Sequence, residues 1–488
     1  MEIIIHISSV MIVGRRKEVE ELSELYSRDD AEFVALYGRR RVGKTYLVSE
    51  LFKGRMTFAH AGLSPVDPSI TGKSRMMAQL NHFYRSLVSQ GMAESKPPED
   101  WMQAFYMLEA FLESKADGNR QLVFLDEIQW MDTPRSHFIT GLESFWNGWV
   151  SLGHPVMLIV CGSSTSWILN KLINNYGGLY DRVTSRICLS PFDLAETEEF
   201  LVSNGVGFSR YDVARTYMAL GGIPYYLRQV DRGMSVEQNL DRLFFERKAL
   251  LRNEFDILFA STFSSPESMK SIVRALGRTR RGLTRQEIIE ETCIPNGGVL
   301  TSYLESLIEG DFIIRYTPFG EGKRESRYRL IDPFCRFFLY FVDTERSGGK
   351  APAMSDAALA SWMGLSFEDV CFTHVRQIKQ ALGISGVSTR ESLWSKRGDG
   401  CGPGTQIDMI IERKDNVLDV CEAKFVAGEF AVDKEYHLVL VRRKELIGEF
   451  VSKRTTIRNV LICTNGLKKN EYRWDFAAVV TLDDLFTA

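Results

Sequence analysis

The sequence has no paired cysteines, no membrane-length apolar run, no large net charge and no internal repeat, and each absence removes a class of protein. Its eight cysteines (Cys161, Cys188, Cys293, Cys335, Cys371, Cys401, Cys421, Cys463) are scattered, with no CxxC pair and no zinc-ligand spacing. That excludes a disulfide framework or a structural zinc site and points to a reducing, cytoplasmic setting. The most apolar internal run, VMLIVCG at 156–162, falls far short of the ~20 residues that span a bilayer, so it is expected to be a buried strand and no membrane partner is expected. The N-terminal MEIIIHISSVMIV lacks a basic start and a small-residue cleavage site, so a secretory leader is not expected there, and Met11 stands as an alternative start. A net charge of −3 excludes a global basic field. Nucleic-acid contact would therefore have to come from local patches. Low-complexity tracts are absent too.

What is present is an ordinary globular composition, 44% apolar and 25% charged, over 488 residues, a length suited to roughly three domains. The first 190 residues alternate predicted strands (32–38, 56–61, 121–126, 155–162) with helices (from 43, 70–90, 100–115, 136–151). Near-continuous apolar strands in that order predict an α/β fold with a mainly parallel sheet covered on both faces. A helical stretch, 191–262, follows. Residues 263–345 hold three short amphipathic segments and then a hairpin, the pattern of a winged helix. FCRFFLYFV at 334–342 reads as a core helix. Residues 346–363 read as a linker, and 364–488 as a further α/β domain beginning with a helix.

Within EFVALYGRRRVGKTYLVSELF, residues Gly38, Arg39, Arg40, Arg41, Val42, Gly43, Lys44 and Thr45 satisfy G-x-x-x-x-G-K-[ST] between a strand and a helix, with Tyr46 next. Glycines let backbone N–H groups wrap phosphates, a lysine reaches the β/γ-phosphates, and a hydroxyl holds Mg²⁺ at the helix N-terminus. The loop's backbone and Lys44 suffice for that task, so the side chains of Arg39–Arg41 are expected to face solvent or a partner. RQLVFLDEIQW supplies the acids: Asp126 for Mg²⁺ and Glu127 to orient and activate water. After the next strand, Ser163 and Ser164 stand where a hydroxyl could sense the γ-phosphate or cap a helix.

IVGRRKEVEELSEL, the glycine loop, FLDEIQW, CGSS, GGLYDRVTSRICLSPF and LGGIPYYL, in this order, resemble the archaeal-type ATPases of the AAA/STAND group over about 12–345. The resemblance implies ATP and Mg²⁺ as cofactors and a possible homo-oligomer. It places Val13, Gly14 and Arg15 near the adenine, and Gly222 and Pro224 in a helical lid over the base. It also gives Arg182 or Arg186 a role at a neighbouring subunit's γ-phosphate.

GTQIDMIIERKDNVLDVCEAKF puts Asp408 on one strand and Glu422 and Lys424 on the next. Glu422 and Lys424 share a face, since side chains alternate along a strand, while Ala423 points into the core. An acid pair with a lysine suits phosphodiester hydrolysis: the carboxylates hold Mg²⁺, and the cation positions water and steadies the developing charge. With Glu368 and Asp369 on the preceding helix, 362–488 resembles the PD-(D/E)xK restriction-endonuclease-like domain. That resemblance makes Glu368, Asp408 and Glu422 metal ligands and Lys424 catalytic, although Ile407 stands where the motif has proline. The candidate recognition segment NGGVLTSYLESLIEG is acidic, so any DNA-backbone contact is expected from Arg278, Arg280, Arg281, Arg285, Lys323, Arg324 and Arg327. The alternative is a packing module. The expected function is an ATPase coupled to a DNA nuclease in defence, mobile-element biology or repair; the alternative is a STAND-like regulatory ATPase whose last domain only binds DNA or protein.

Overall fold

The computed structural model describes residues 12–64, 73–174, 177–344, 356–396 and 405–487. Met11, Cys401, most of the expected linker and the side chain of Lys323 lie outside the described residues. The chain forms two compact units, Met1–Ser190 and Pro191–Ala488.

In the first unit, α1 (Arg16–Ser27), β1 (Glu32–Tyr37), α2 (Lys44–Leu51), β2 (Met56–Ala61), α3 (Lys73–Ser89), α4 (Trp101–Ser114), β3 (Gln121–Asp126), α5 (Phe138–Gly148), β4 (Val156–Gly162), α6 (Thr165–Ile168) and β5 (Ser185–Cys188) follow in order. The strands pair in the order β2-β3-β4-β1-β5, every pairing parallel. All of their C-terminal ends therefore open on one edge. β3 and β4 are buried along their whole length, as strands covered on both faces must be. Phe58, Phe83, Trp101, Phe105, Phe138 and Phe145 fill one side of the sheet.

The second unit begins with α7 (Leu194–Ser203), α8 (Arg210–Leu220), α9 (Pro224–Leu227), α10 (Val236–Leu240) and α11 (Glu254–Thr262). Then come α12 (Pro266–Gly277), β6 (Leu283–Thr284), α13 (Arg285–Thr292), α14 (Gly298–Glu309), β7 (Ile313–Tyr316) and β8 (Arg327–Leu330). The three strands form an antiparallel sheet, β6-β8-β7. α15 (Pro333–Phe337) runs into a π-helical turn, Phe338–Asp343, and Phe334, Phe337, Phe338 and Phe341 are fully buried, so the aromatic run is core.

The rest comprises α16 (Asp356–Thr373), α17 (Val375–Ala381), β9 (Thr389–Lys396), β10 (Thr405–Arg413), β11 (Val417–Lys424), α18 (Lys434–Gly448), β12 (Thr456–Cys463) and β13 (Ala478–Thr481). Their sheet runs β13-β12-β11-β10-β9, with antiparallel pairing from β9 to β11 and parallel pairing from β11 to β13. The helix expected at the start of this domain breaks at His374, between α16 and α17. There Nε2 accepts the Leu194 N–H at 3.0 Å, and Nδ1 lies 2.9 Å from Val370 O. That fixes a neutral Nδ1–H tautomer, which burial favours by lowering the pKa to about 4.

The hairpin expected as an exposed wing is anchored instead. Phe319 lies in the core of the C-terminal sheet with Trp394, Ile407 and Leu418. Its N–H donates to Leu393 O at 3.0 Å. Burying one phenyl ring contributes about 2 kcal/mol, which favours the anchored position. Arg327 pairs with Glu287 at 2.9 Å and Arg281 with the same carboxylate at 3.3 Å. Arg285 donates to Asn296 and Gly297, each at 2.9 Å. Arg278, Arg280 and Arg324 stay exposed. A hydrogen-bonded or ion-paired arginine has less to gain from a phosphate than a free one.

Candidate nucleotide site and carboxylate cluster

The loop after β1 has two glycines with distinct physical reasons. Gly38 has φ 140°, and a Cβ on it would stand 2.3 Å from Leu189 O. Gly43, at φ 97°, is the residue before α2. Both conformations disfavour other residues. Arg41 also adopts a left-handed conformation, φ 72°. Arg39 corrects the expectation for the arginine run. It is 1% exposed, because the turn set by Gly38 directs the next side chain inward. Arg40 and Arg41 are half-buried.

Lys44 is buried, and its Nζ donates to Gly38 O at 2.8 Å and Arg39 O at 2.9 Å. Among the described residues it makes no ion pair with a carboxylate. A buried ammonium held only by backbone carbonyls attracts an anion. Thr45 Oγ1 donates to Asp126 Oδ2 at 2.6 Å, so a hydroxyl from the first turn of α2 and a carboxylate from the end of β3 meet at the sheet's open edge. Burial, opposed by the Thr45 bond and aided by Glu127, raises the pKa of Asp126. A divalent cation would reverse that balance, and two adjacent oxygen donors fit Mg²⁺.

Glu127 sits in the left-handed region, φ 47°, which turns its side chain toward β4. Its Oε2 accepts Ser163 Oγ–H at 2.7 Å and Gln129 Nε2 at 2.5 Å. Ser163 therefore caps no helix, and Ser164, before α6, makes no side-chain cap either. Arg15, also left-handed and buried, donates from Nη2 to Val42 O at 3.3 Å, so the Val13–Gly14–Arg15 segment reaches the glycine loop. Arg186 lies on β5 opposite Ala35, with Arg182 on the approach to that strand. Both are exposed. Gly222 and Pro224 belong to the second unit. A Cβ at Gly222 would meet Phe192 O at 1.9 Å, which accounts for this glycine by packing, and Pro224 opens α9.

Sequence reasoning missed Gln129, two residues past Glu127, and Cys161. Cys161 is a buried thiol whose pKa burial and Asp126 push well up. Neither carries a spacing that would single it out.

The second cluster lies one residue beyond the Met409–Cys421 pair, where the antiparallel register sets Asp408 across from Glu422. Asp408 Oδ2 accepts Ala423 N–H at 3.0 Å. Burial first, then the nearby Glu422 and Glu368, push its pKa up to about 8. Glu422 and Lys424 share a face as expected, with Lys424 Nζ 2.5 Å from Glu422 Oε1. Arg443 of α18, which no motif announced, donates to Glu422 Oε2. Glu368 lies 3.4 Å from Arg329 Nη2. Asp369 is held by Arg329 at 2.7 Å and Arg336 at 2.6 Å. Among the described residues no group of three or more His, Cys, Asp or Glu is arranged to hold a metal ion. The three expected ligands are brought near one another, but two of them already face the chain's own cations.

A glycine loop after β1, an acid pair after β3 and a parallel sheet with β4 between them define a P-loop NTPase of α/β class. Residues 12–230 match the model of a family described as an ATPase domain predominantly from Archaea, so this part of the chain is similar to that family. An uncharacterized protein of Methanocaldococcus jannaschii is 25% identical over 448 residues, covering 90% of this chain and 93% of that one. An uncharacterized ATP-binding protein of the same organism is 41% identical over 46 residues, 9% of this chain and 78% of its own. Among solved structures, a Walker-type ATPase of Pyrococcus abyssi aligns with TM-score 0.47 and 20% identity, covering 67% of this chain and 96% of that one. The ORC2 protein of Aeropyrum pernix aligns with TM-score 0.42 and 13% identity, covering 70% and 98%. Among the described residues no helix is long and apolar enough to cross a membrane.

Proposed function

We propose that the ATPase domain binds and hydrolyses ATP with Mg²⁺ and couples that cycle to a C-terminal nuclease-like domain acting on DNA, in cytoplasmic defence, mobile-element biology or repair. In this reading the 38–45 backbone and Lys44 hold the phosphates, Thr45 and Asp126 hold Mg²⁺, and Glu127 orients the attacking water, with Ser163 and Gln129 fixing Glu127. Mg²⁺ supplies neutralisation of the developing phosphoryl charge. Val13, Gly14 and Arg15 flank the base. Arg182 or Arg186 serves a neighbouring copy's nucleotide in a homo-oligomer. Residues 263–345 are read as a winged helix whose hairpin is used for packing.

The observation that carries the nuclease half is the approach of Asp408, Glu422 and Lys424 across β10 and β11, with Glu368 near enough to raise the pKa of Asp408. Asp408, Glu422 and Glu368 would hold the metal and Lys424 would position water. One observation favours the second reading, a STAND-like regulatory ATPase: Arg329 faces Glu368, and Arg443 and Lys424 face Glu422. Incubating the protein with supercoiled DNA and Mg²⁺ or Mn²⁺ separates the two. Nicking that disappears in Lys424→Ala supports the nuclease; no nicking beside intact ATP turnover supports the regulatory reading.

A further inference from the structure

A cavity lined by arginines lies in the second unit, outside both sites above. It measures about 710 Å³, within the range of small-ligand sites, about 300–1,000 Å³. Arg274, Arg278, Arg280 and Arg336 line it, with Tyr340 and Trp362. Arg274 is paired with Asp343 at 2.9 Å, and Arg336 holds Asp369. Arg278 is largely exposed and reaches Glu291 only at 3.6 Å. Arg280 is exposed and makes no ion pair among the described residues. Arg280, and Arg278 with only an exposed and distant partner, are therefore the lining cations most open to an incoming anion.

Three further features point to a ligand. Trp362 is 1% exposed, and its Nε1–H has no hydrogen-bond partner among the described residues, a cost that an acceptor from outside would remove. Tyr340 keeps 37% of its surface exposed in an otherwise buried aromatic run. It lies on the π-helical turn Phe338–Asp343, an irregularity found often at functional sites. Close approach builds the wall: a Cβ on Gly277, at the end of α12, would meet Leu339 at 2.6 Å.

We propose that this cavity binds single-stranded nucleic acid, with phosphates on Arg278 and Arg280, an acceptor at Trp362 Nε1 and one base stacked on Tyr340. Arginine guanidinium suits phosphate, and an exposed aromatic ring is a sequence-tolerant base platform. A free inorganic anion would use the arginines and leave the ring idle. The inference rests on the nucleic-acid reading above and adds to it the form of the substrate, a single strand, and its path.

Fluorescence anisotropy of labelled oligo-dT and oligo-rU, in EDTA so that no cleavage contributes, tests it. Wild-type protein is expected to bind the single strand. Arg278→Ala/Arg280→Ala, at exposed positions that folding does not need, should weaken binding at least tenfold and flatten the salt slope by about 1.4, at ~0.7 per phosphate on each of two arginines. Tyr340→Ala should cost roughly fivefold or more with the salt slope unchanged. Tighter binding of dT than rU assigns the cavity to DNA, the reverse to RNA. No wild-type binding, or variants with unaltered affinity and slope, overturns the proposal even if duplex DNA is nicked. Binding lost in both variants while nothing is nicked keeps the cavity and removes the nuclease.

Discussion

Arg329 is a buried cation of the second unit that two carboxylates share. It is 2% exposed. From β8 its guanidinium holds Asp369 at 2.7 Å and lies 3.4 Å from Glu368, with its Cζ 5.6 Å from the Phe372 ring centroid. Replacing it with methionine keeps most of the packing volume and removes the charge. Asp369 keeps Arg336, so the loss falls chiefly on Glu368, whose pKa burial already raises. Breaking one partner out of a buried pair costs about 3–5 kcal/mol, which for a unit of this size lowers Tm by roughly 6–15 °C. Arg329→Met/Glu368→Gln removes the stranded charge and should recover most of the loss. A buried, unpaired carboxylate has a folded pKa above its unfolded value, so its penalty applies above the unfolded pKa and fades as pH falls. The deficit of Arg329→Met relative to wild type should therefore shrink from pH 7 to pH 5. Thermal melts of the three proteins at both pH values supply the measurement. A deficit under 1 kcal/mol, or one that neither the second substitution nor acid reduces, refutes the reasoning.

Lys44→Ala should lose nucleotide binding in equilibrium titration, because it removes the buried ammonium that the loop carbonyls of Gly38 and Arg39 hold in place for the phosphates. Glu127→Gln should bind ATP near the wild-type level and lower turnover by two orders of magnitude or more, the scale of a lost water-orienting base. His374 is neutral in the fold with its pKa lowered to about 4, against about 6.5 unfolded. Its contribution is present above pH 6.5 and is lost as pH falls toward 4, at up to about 1.4 kcal/mol per pH unit. His374→Gln should flatten the stability curve in that window.

The candidate nucleotide site was legible as a cluster because its parts are local. A strand, a glycine turn and a helix N-terminus lie within twenty residues, and the acid pair follows its own apolar strand. Four of the five strands of the first unit were legible for the same reason, apolar runs of strand length alternating with helical periodicity, while β5, four residues with alternate ones exposed, left no such run. Arg39 shows the limit, since three arginines in a row read as exposed until the φ of Gly38 turns one of them inward. Phe319 sits in YTPFGEG, a turn by every local sign, yet its core partner Leu418 lies about a hundred residues on. Arg329 and Asp369 pair across forty residues, and Arg443 reaches Glu422 from another element. Long-range charge partners leave no periodicity to read. The carboxylate cluster was thus visible, and the cations that answer it were not.

Nucleotide control of DNA cleavage is tested most directly by measuring supercoiled-DNA nicking in wild type and Glu127→Gln with ATP, with ADP and without nucleotide. The account predicts that Glu127→Gln with ATP holds one nicking rate indefinitely, distinct from the ADP rate, while wild type drifts from one to the other as ATP is consumed. Nicking at one rate in all three conditions would contradict the coupling, and absence of nicking in every condition would contradict the nuclease itself.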